Sequence, residues 1–120
     1  MKIQESAEMY METILILEND KESVRSIDIV NYLNYSKPSV SRAMKSLSEE
    51  GYINVDKKGF ITLSDKGREI ALSVYEKHQI LTRIFISIGV SEENAKVDAC
   101  RIEHCISDET FQQLREHFNQ

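Results

Sequence analysis

Residues 34–64, NYSKPSVSRAMKSLSEEGYINVDKKGFITLS, change their period partway along. From Lys37 to Glu50 the pattern is helical. Pro38 suits a first turn, where its missing N–H has no partner to lose. Val40, Met44 and Leu47 recur at helix spacing, and Gly51 ends the run. The pattern then alternates. YINVD (52–56) and FITLS (60–64) read as two short strands around Lys57, Lys58 and Gly59, which is a hairpin signal.

Upstream, SIDIVNYL (26–33) reads as a short helix with Ser26 as its N-cap, and NYS (34–36) as a tight turn. Before it, ESAEMYMETILILE (5–18) carries Met9, Ile14, Leu15 and Leu17 with a mixed face and reads as an amphipathic helix that NDKES breaks. Helix, helix, turn, helix, hairpin is the winged helix-turn-helix order. Downstream, Ser64 caps a long helix over Asp65–Ile88, with Leu72, Tyr75, Leu81 and Phe85 on its apolar face. SEEN (91–94) opens a further helix running to about Ile106. SDET (107–110) opens a last one, with Ser107 and Thr110 as cap candidates and Phe111, Leu114 and Phe118 facing inward. The expected fold is mainly α. A winged helix-turn-helix DNA-binding domain is expected over residues 1–63 and a helical domain over 64–120, whose metal-binding and dimerisation roles are what the family resemblance below implies.

Bulk properties agree. A chain of 120 residues, with 41% hydrophobic and 29% charged side chains, suits one domain or two small intimate ones. It has no Trp, one Pro and four Gly, a scarcity of breakers that favours helices. No apolar run is long enough for a membrane span, and the N-terminus lacks the apolar core of a signal peptide. A cytoplasmic protein is expected. The net charge is −5, but it is unevenly spread. Residues 34–60 carry five basic and three acidic side chains, whereas 1–33 and 61–120 have net charges of −4 and −3. A basic patch on an acidic body is compatible with DNA binding and argues against strong non-specific binding.

The second helix of a helix-turn-helix presents its N-terminal residues to base edges in the major groove. Here those are Ser36, Lys37, Pro38, Ser39, Ser41, Arg42 and Lys45. Hydroxyls contact phosphates or bases, and Arg can bridge a guanine with two bonds. The free N–H groups at the helix start suit a phosphate. Lys57 and Lys58 at the hairpin tip would lie along the DNA backbone as the wing. Taken alone, these are ordinary solvated charges. Their combination with three helices and a hairpin favours DNA, although some winged helices bind protein instead.

A second constellation lies in DACRIEHC (98–105). On a helix, Cys100, Glu103 and His104 stand at i, i+3 and i+4, one above the other. Thiolate, carboxylate and imidazole are all metal donors. Three ligands on one helix rarely complete a site. Met9 and Glu12, at i and i+3 in the first helix, and His78 on the long helix are candidates for the remainder. Each has a plainer reading on its own: Met9 as core filler, His78 as a packed or surface histidine, Cys100 as a small buried hydrophobe. Cys100 and Cys105 lie about 140° apart around a helix axis, so they are read as separate thiols rather than a disulfide. Cys105 and His117 are read as structural.

EMYMETI (8–14), SKPSVSRAMKSL (36–47), ITLSDKGREIA (61–71), YEKHQIL (75–81) and DACRIEHCIS (98–107) together resemble the diphtheria toxin repressor family of metal-dependent transcriptional regulators. They cover almost the whole chain in family order. The resemblance implies a homodimer that binds a palindromic double-stranded operator when Fe(II) or Mn(II) is loaded. It implies an iron-type primary site of Met9, Cys100, Glu103 and His104. Glu12 and His78 match two further ligands of the manganese-type two-metal cluster, so the sequence looks like a hybrid. Of the family's ancillary site only His78 is matched, with Thr82 and Lys96 at the other two positions. The SH3-like third domain of larger members is expected to be absent, and the final helix shortened. The softer donors Cys100 and Met9 favour Fe(II) over Mn(II).

Two other classes stay open at this stage. A metalloenzyme would need a general base and a substrate pocket, and neither stands out, so no enzyme activity is expected. A winged-helix regulator sensing thiol oxidation through Cys100 or Cys105 would bind DNA without metal.

Overall fold

The computed structural model describes residues 5–118. It contains α1 (Glu5–Asp20), α2 (Ser26–Leu33), α3 (Lys37–Glu49), β1 (Ile53–Val55), β2 (Ile61–Leu63), α4 (Asp65–Ser87), α5 (Glu92–Ile102) and α6 (Asp108–Phe118). The chain divides into two compact units, Met1–Leu72 and Ser73–Gln120, so the division falls inside α4. Among the described residues no helix is long and apolar enough to cross a membrane.

In the first unit α1 packs on α2, α3 and β2, and α3 packs on α2 and β1. Met11, Ile14, Leu15 and Leu17 of α1 are buried with Ile29 of α2 and with Val40, Met44 and Leu47 of α3. The strands pair antiparallel with Ile53 opposite Leu63 and Val55 opposite Ile61. Val24 adds an isolated bridge to Ile61. Asn34 closes α2 in the left-handed conformation at φ 59°, which Asn tolerates better than most residues. Its N–H reaches the Val30 carbonyl at 2.8 Å. This turn brings α3 in directly after α2.

Beyond the hairpin, Ser64 caps α4. Its Oγ accepts from the Gly67 N–H at 3.1 Å and donates to the Gly51 carbonyl at 2.7 Å. Gly67 is buried against the Tyr52 carbonyl, and a Cβ there would overlap that oxygen. Arg68 reaches Glu18 of α1 at 2.9 Å.

The second unit centres on Leu81 of α4, Ala99 of α5 and Phe111 of α6, with Ile80, Phe85, Ile102, Ile106 and Leu114 packed around them. Ser91 caps α5 and Ser107 caps α6, each accepting an N–H three residues on.

Five local expectations are corrected. Ser26 is the first helical residue of α2, not its cap; Arg25 holds that position, and its N–H donates to the Asp28 carboxylate at 2.8 Å. The α1 helix continues through Asn19 and Asp20. Leu72 is 52% exposed, because the buried face of α4 passes through Ala71, Val74, Leu81 and Ile84 instead. Phe118 is 41% exposed rather than inward. Finally, α5 ends at Ile102, with Glu103 as its C-cap.

Candidate metal centre and DNA-reading surface

The start of α3 is built by two hydroxyls. Ser36 Oγ accepts from the Ser39 N–H at 3.3 Å and donates to Ser39 Oγ at 2.8 Å. Arg42 Nη2 leans back one turn to Ser39 Oγ at 3.5 Å. Ser36 and Ser39 therefore hold the helix end, and Pro38 fixes its first turn. Lys37, Ser41, Arg42 and Lys45 are exposed around that end. Lys57 and Lys58 are exposed at the hairpin tip, whose turn is fixed by Asp56. Asp56 Oδ1 accepts from the Lys58 and Phe60 N–H groups at 2.8 and 2.9 Å. A cationic helix start and a cationic tip on one unit have the composition of a phosphate-facing surface.

The metal candidates of the second unit meet at Glu103. Its side chain is fully buried, with His78 Nδ1 of α4 2.9 Å from Oε2 and His104 Nε2 3.2 Å from Oε1. The His104 side chain is itself only 3% exposed. A carboxylate enclosed in this way is costly to desolvate unless donors or a cation compensate its charge. Cys100 lies one turn earlier and is half-buried. Although α5 ends at Ile102, Glu103 keeps helical geometry and its N–H still reaches the Ala99 carbonyl at 2.9 Å. Cys100 and Glu103 therefore keep their shared face. His104 follows in a tightened turn, in which the Cys105 N–H reaches the Ile102 carbonyl at 3.0 Å.

On α1 of the first unit, Met9 and Glu12 stand one turn apart. Met9 is half-buried and its Sδ accepts from the Tyr35 hydroxyl at 3.2 Å. Glu12 is 6% exposed.

The donor chemistry fits a divalent first-row ion. Carboxylate and two imidazoles are ordinary ligands for such ions, and the Cys100 thiol adds a soft donor. The positions of an ancillary site do not fit a second cation. Thr82 and Lys96 line a cavity of about 490 Å³ together with Tyr75, His78, Gln79 and Arg83. Arg83 and Lys96 make it cationic, and Thr82 Oγ1 is engaged with the His78 carbonyl at 2.7 Å.

The sequence reading placed His78 and Glu103 in one candidate cluster, and their side chains meet, Nδ1 to Oε2, at 2.9 Å. One feature escaped the sequence reading. Tyr35 holds Met9, and nothing in the turn NYS marks its tyrosine as more than a turn residue.

A winged helix-turn-helix reading head, with a second helical unit that holds a buried carboxylate–imidazole cluster, is the architecture of a metal-responsive regulator. Residues 2–60 match the iron dependent repressor N-terminal DNA binding domain. Residues 64–120 match the iron dependent repressor metal binding and dimerisation domain. The chain belongs to the iron-dependent repressor family. It is similar to the HTH-type transcriptional regulator MJ0568 of Methanocaldococcus jannaschii, at 30% identity over 94% of this chain and 92% of that protein. It is also 30% identical to the iron-dependent repressor IdeR of Mycobacterium tuberculosis, over 94% of this chain and 50% of that one. Among solved structures, the manganese regulator SloR matches with a TM-score of 0.82 at 26% identity, covering 94% of this chain and 53% of that chain. The chain thus spans about half the length of IdeR and of SloR.

Proposed function

We propose that this chain is a metal-dependent DNA-binding transcriptional repressor. It would act as a homodimer on a palindromic operator, with Fe(II) or Mn(II) as co-repressor. The observation that carries the reading is the fully buried Glu103 carboxylate with an imidazole at each oxygen, in a chain whose other unit is a winged helix. Family membership supports it, and both iron-dependent and manganese regulators stand among the similar proteins.

The proposed ligands are Met9, Cys100, Glu103 and His104, joined by Glu12 and His78. The thiolate and thioether favour Fe(II) over Mn(II). When bound, the ion supplies positive charge opposite Glu103 and the Cys100 thiolate, and a coordination sphere that limits their motion. Cys100 loses its proton to become a ligand, so affinity falls with acidity. If Met9 and Glu12 of α1 are ligands, loading would restrict the helix on which the reading head is packed, and a head restricted in this way would bind DNA with less ordering cost. Lys37, Ser41, Arg42 and Lys45 then meet the groove, and Lys57 and Lys58 the backbone. In the second unit Ile86, Ile88, Val97 and Phe118 are exposed apolar side chains of the kind a homodimer covers.

The test is an anaerobic selection from a random duplex library with Fe(II), with Mn(II) or with chelator. Enrichment of an inverted repeat only with metal supports the reading. Equal enrichment with chelator contradicts it, and its loss on mild oxidation would move the sensing to the thiols.

A further inference from the structure

The Tyr35–Met9 contact joins two parts of the first unit that otherwise have separate roles. Tyr35 lies in the turn between α2 and α3, directly after the left-handed Asn34 and directly before the Ser36 cap. Its hydroxyl donates to Met9 Sδ at 3.2 Å. Its ring meets Tyr10 edge-on, with centroids 6.0 Å apart and planes at 79°. Tyr10 is 8% exposed, whereas Tyr35 is 41% exposed. The turn that leads into the recognition helix is therefore tied to α1 at the sulfur proposed as a ligand.

A thioether is a weak hydrogen-bond acceptor. A cation on that sulfur withdraws the electron density the hydroxyl uses and faces the positive end of the O–H dipole. Ligation and the hydrogen bond therefore oppose each other. We propose that Tyr35 is a positioning residue that holds Met9 Sδ in the metal-free chain, so that metal loading would exchange the hydroxyl for the ion and free the Tyr35 hydroxyl. This rests on the reading of Met9 as a ligand. Tyr35 thus raises the metal concentration at which the reading head responds, and its released hydroxyl lies one residue from the helix start that faces DNA.

The test compares wild type, Tyr35→Phe, Met9→Leu and the double variant. Metal affinity is read by chelator competition with Mn(II), and with Fe(II) under anaerobic conditions. Thermal unfolding is read without metal. Tyr35→Phe is expected to tighten metal binding by about 2- to 5-fold, the scale of one weak hydrogen bond, and to lower the unfolding temperature of the metal-free chain. Both differences should vanish in the Met9→Leu background. Mn(II) titration should also change the near-ultraviolet tyrosine spectrum of the wild type, readable because the chain has five Tyr and no Trp, and less so in Tyr35→Phe. If Met9→Leu weakens metal binding while Tyr35→Phe leaves it unchanged or weakens it, the ligand assignment stands and the exchange is overturned. If Met9→Leu leaves metal binding unchanged, the ligand assignment fails and the exchange fails with it, whatever the metal-free stability shows. Should Tyr35→Phe not fold, the wild-type spectrum decides: no tyrosine change on metal loading overturns the proposal.

Discussion

The start of α3 and the end of α5 are both rich in polar side chains, and they are built in opposite ways. At the start of α3, two serines satisfy the helix end and the cations around it stand in water. At the end of α5, a carboxylate with no solvent exposure lies between two imidazoles. Exposed charges contribute little to stability and are available to a partner. A buried charge dominates its surroundings and is set by what compensates it. On the proposed function the contrast separates reading from sensing: substitutions at the first surface would change DNA affinity without touching the fold, and substitutions at the second would change metal affinity and the packing of its unit together.

The largest expected effect is at Glu103. Glu103→Gln keeps the volume and removes the charge, and should lower metal affinity on the order of 100-fold, at the upper end of what supporting groups around metals contribute. Isothermal titration with Mn(II) reads it; unchanged affinity would remove Glu103 from the site. Next is Gly67→Ala, which pushes a methyl group onto the Tyr52 carbonyl and should cost about 1–3 kcal/mol in denaturant unfolding. A neutral result would mean that the hairpin and α4 shift apart without penalty. Arg42→Ala should reduce affinity for the selected duplex by about 1–3 kcal/mol and leave unfolding unchanged. Loss of stability in step with loss of binding would break the contrast between the two helix ends.

The smallest effect concerns acid. The Arg25 N–H holds the Asp28 carboxyl below its usual range against the opposing effect of partial burial, with the Lys21 ammonium assisting. A depressed folded value means that this stability is present above the ordinary carboxylate range and is lost as pH falls through the folded value. Asp28→Asn should therefore cost about 0.5–1 kcal/mol near neutrality, and the difference from wild type should shrink as the medium is acidified. A difference independent of pH would assign the whole effect to helix propensity.

Where the structure follows short-range chemistry, the sequence was readable. Pro38 marks the first turn of α3, and Ser64 and Ser107 mark their helix starts through bonds spanning three residues. The Lys57–Gly59 tip follows from period and turn chemistry; Cys100, Glu103 and His104 were named from helix spacing, and the full donor set from family order. What could not be read depends on packing between elements. Leu72 looks like a core residue by type, but the buried stripe of α4 runs one residue away from it. Ser26 resembles a cap, yet Asp28 bonds the Arg25 N–H, and Arg25 therefore precedes the helix. The early end of α5 and the Tyr35–Met9 bond both require knowing which helices meet.

The central claim is that sensing and reading are coupled. Binding linkage requires that, if metal raises duplex affinity by some factor, duplex raises metal affinity by the same factor. Metal affinity should therefore be measured with and without the selected duplex, at fixed salt and under reductant, for wild type and Glu103→Gln. The account expects a wild-type factor of about 5- to 150-fold, equal in both directions and abolished in the variant. Equal metal affinity with and without duplex in the wild type would contradict it, leaving a winged helix and a metal site that share a chain but not a function.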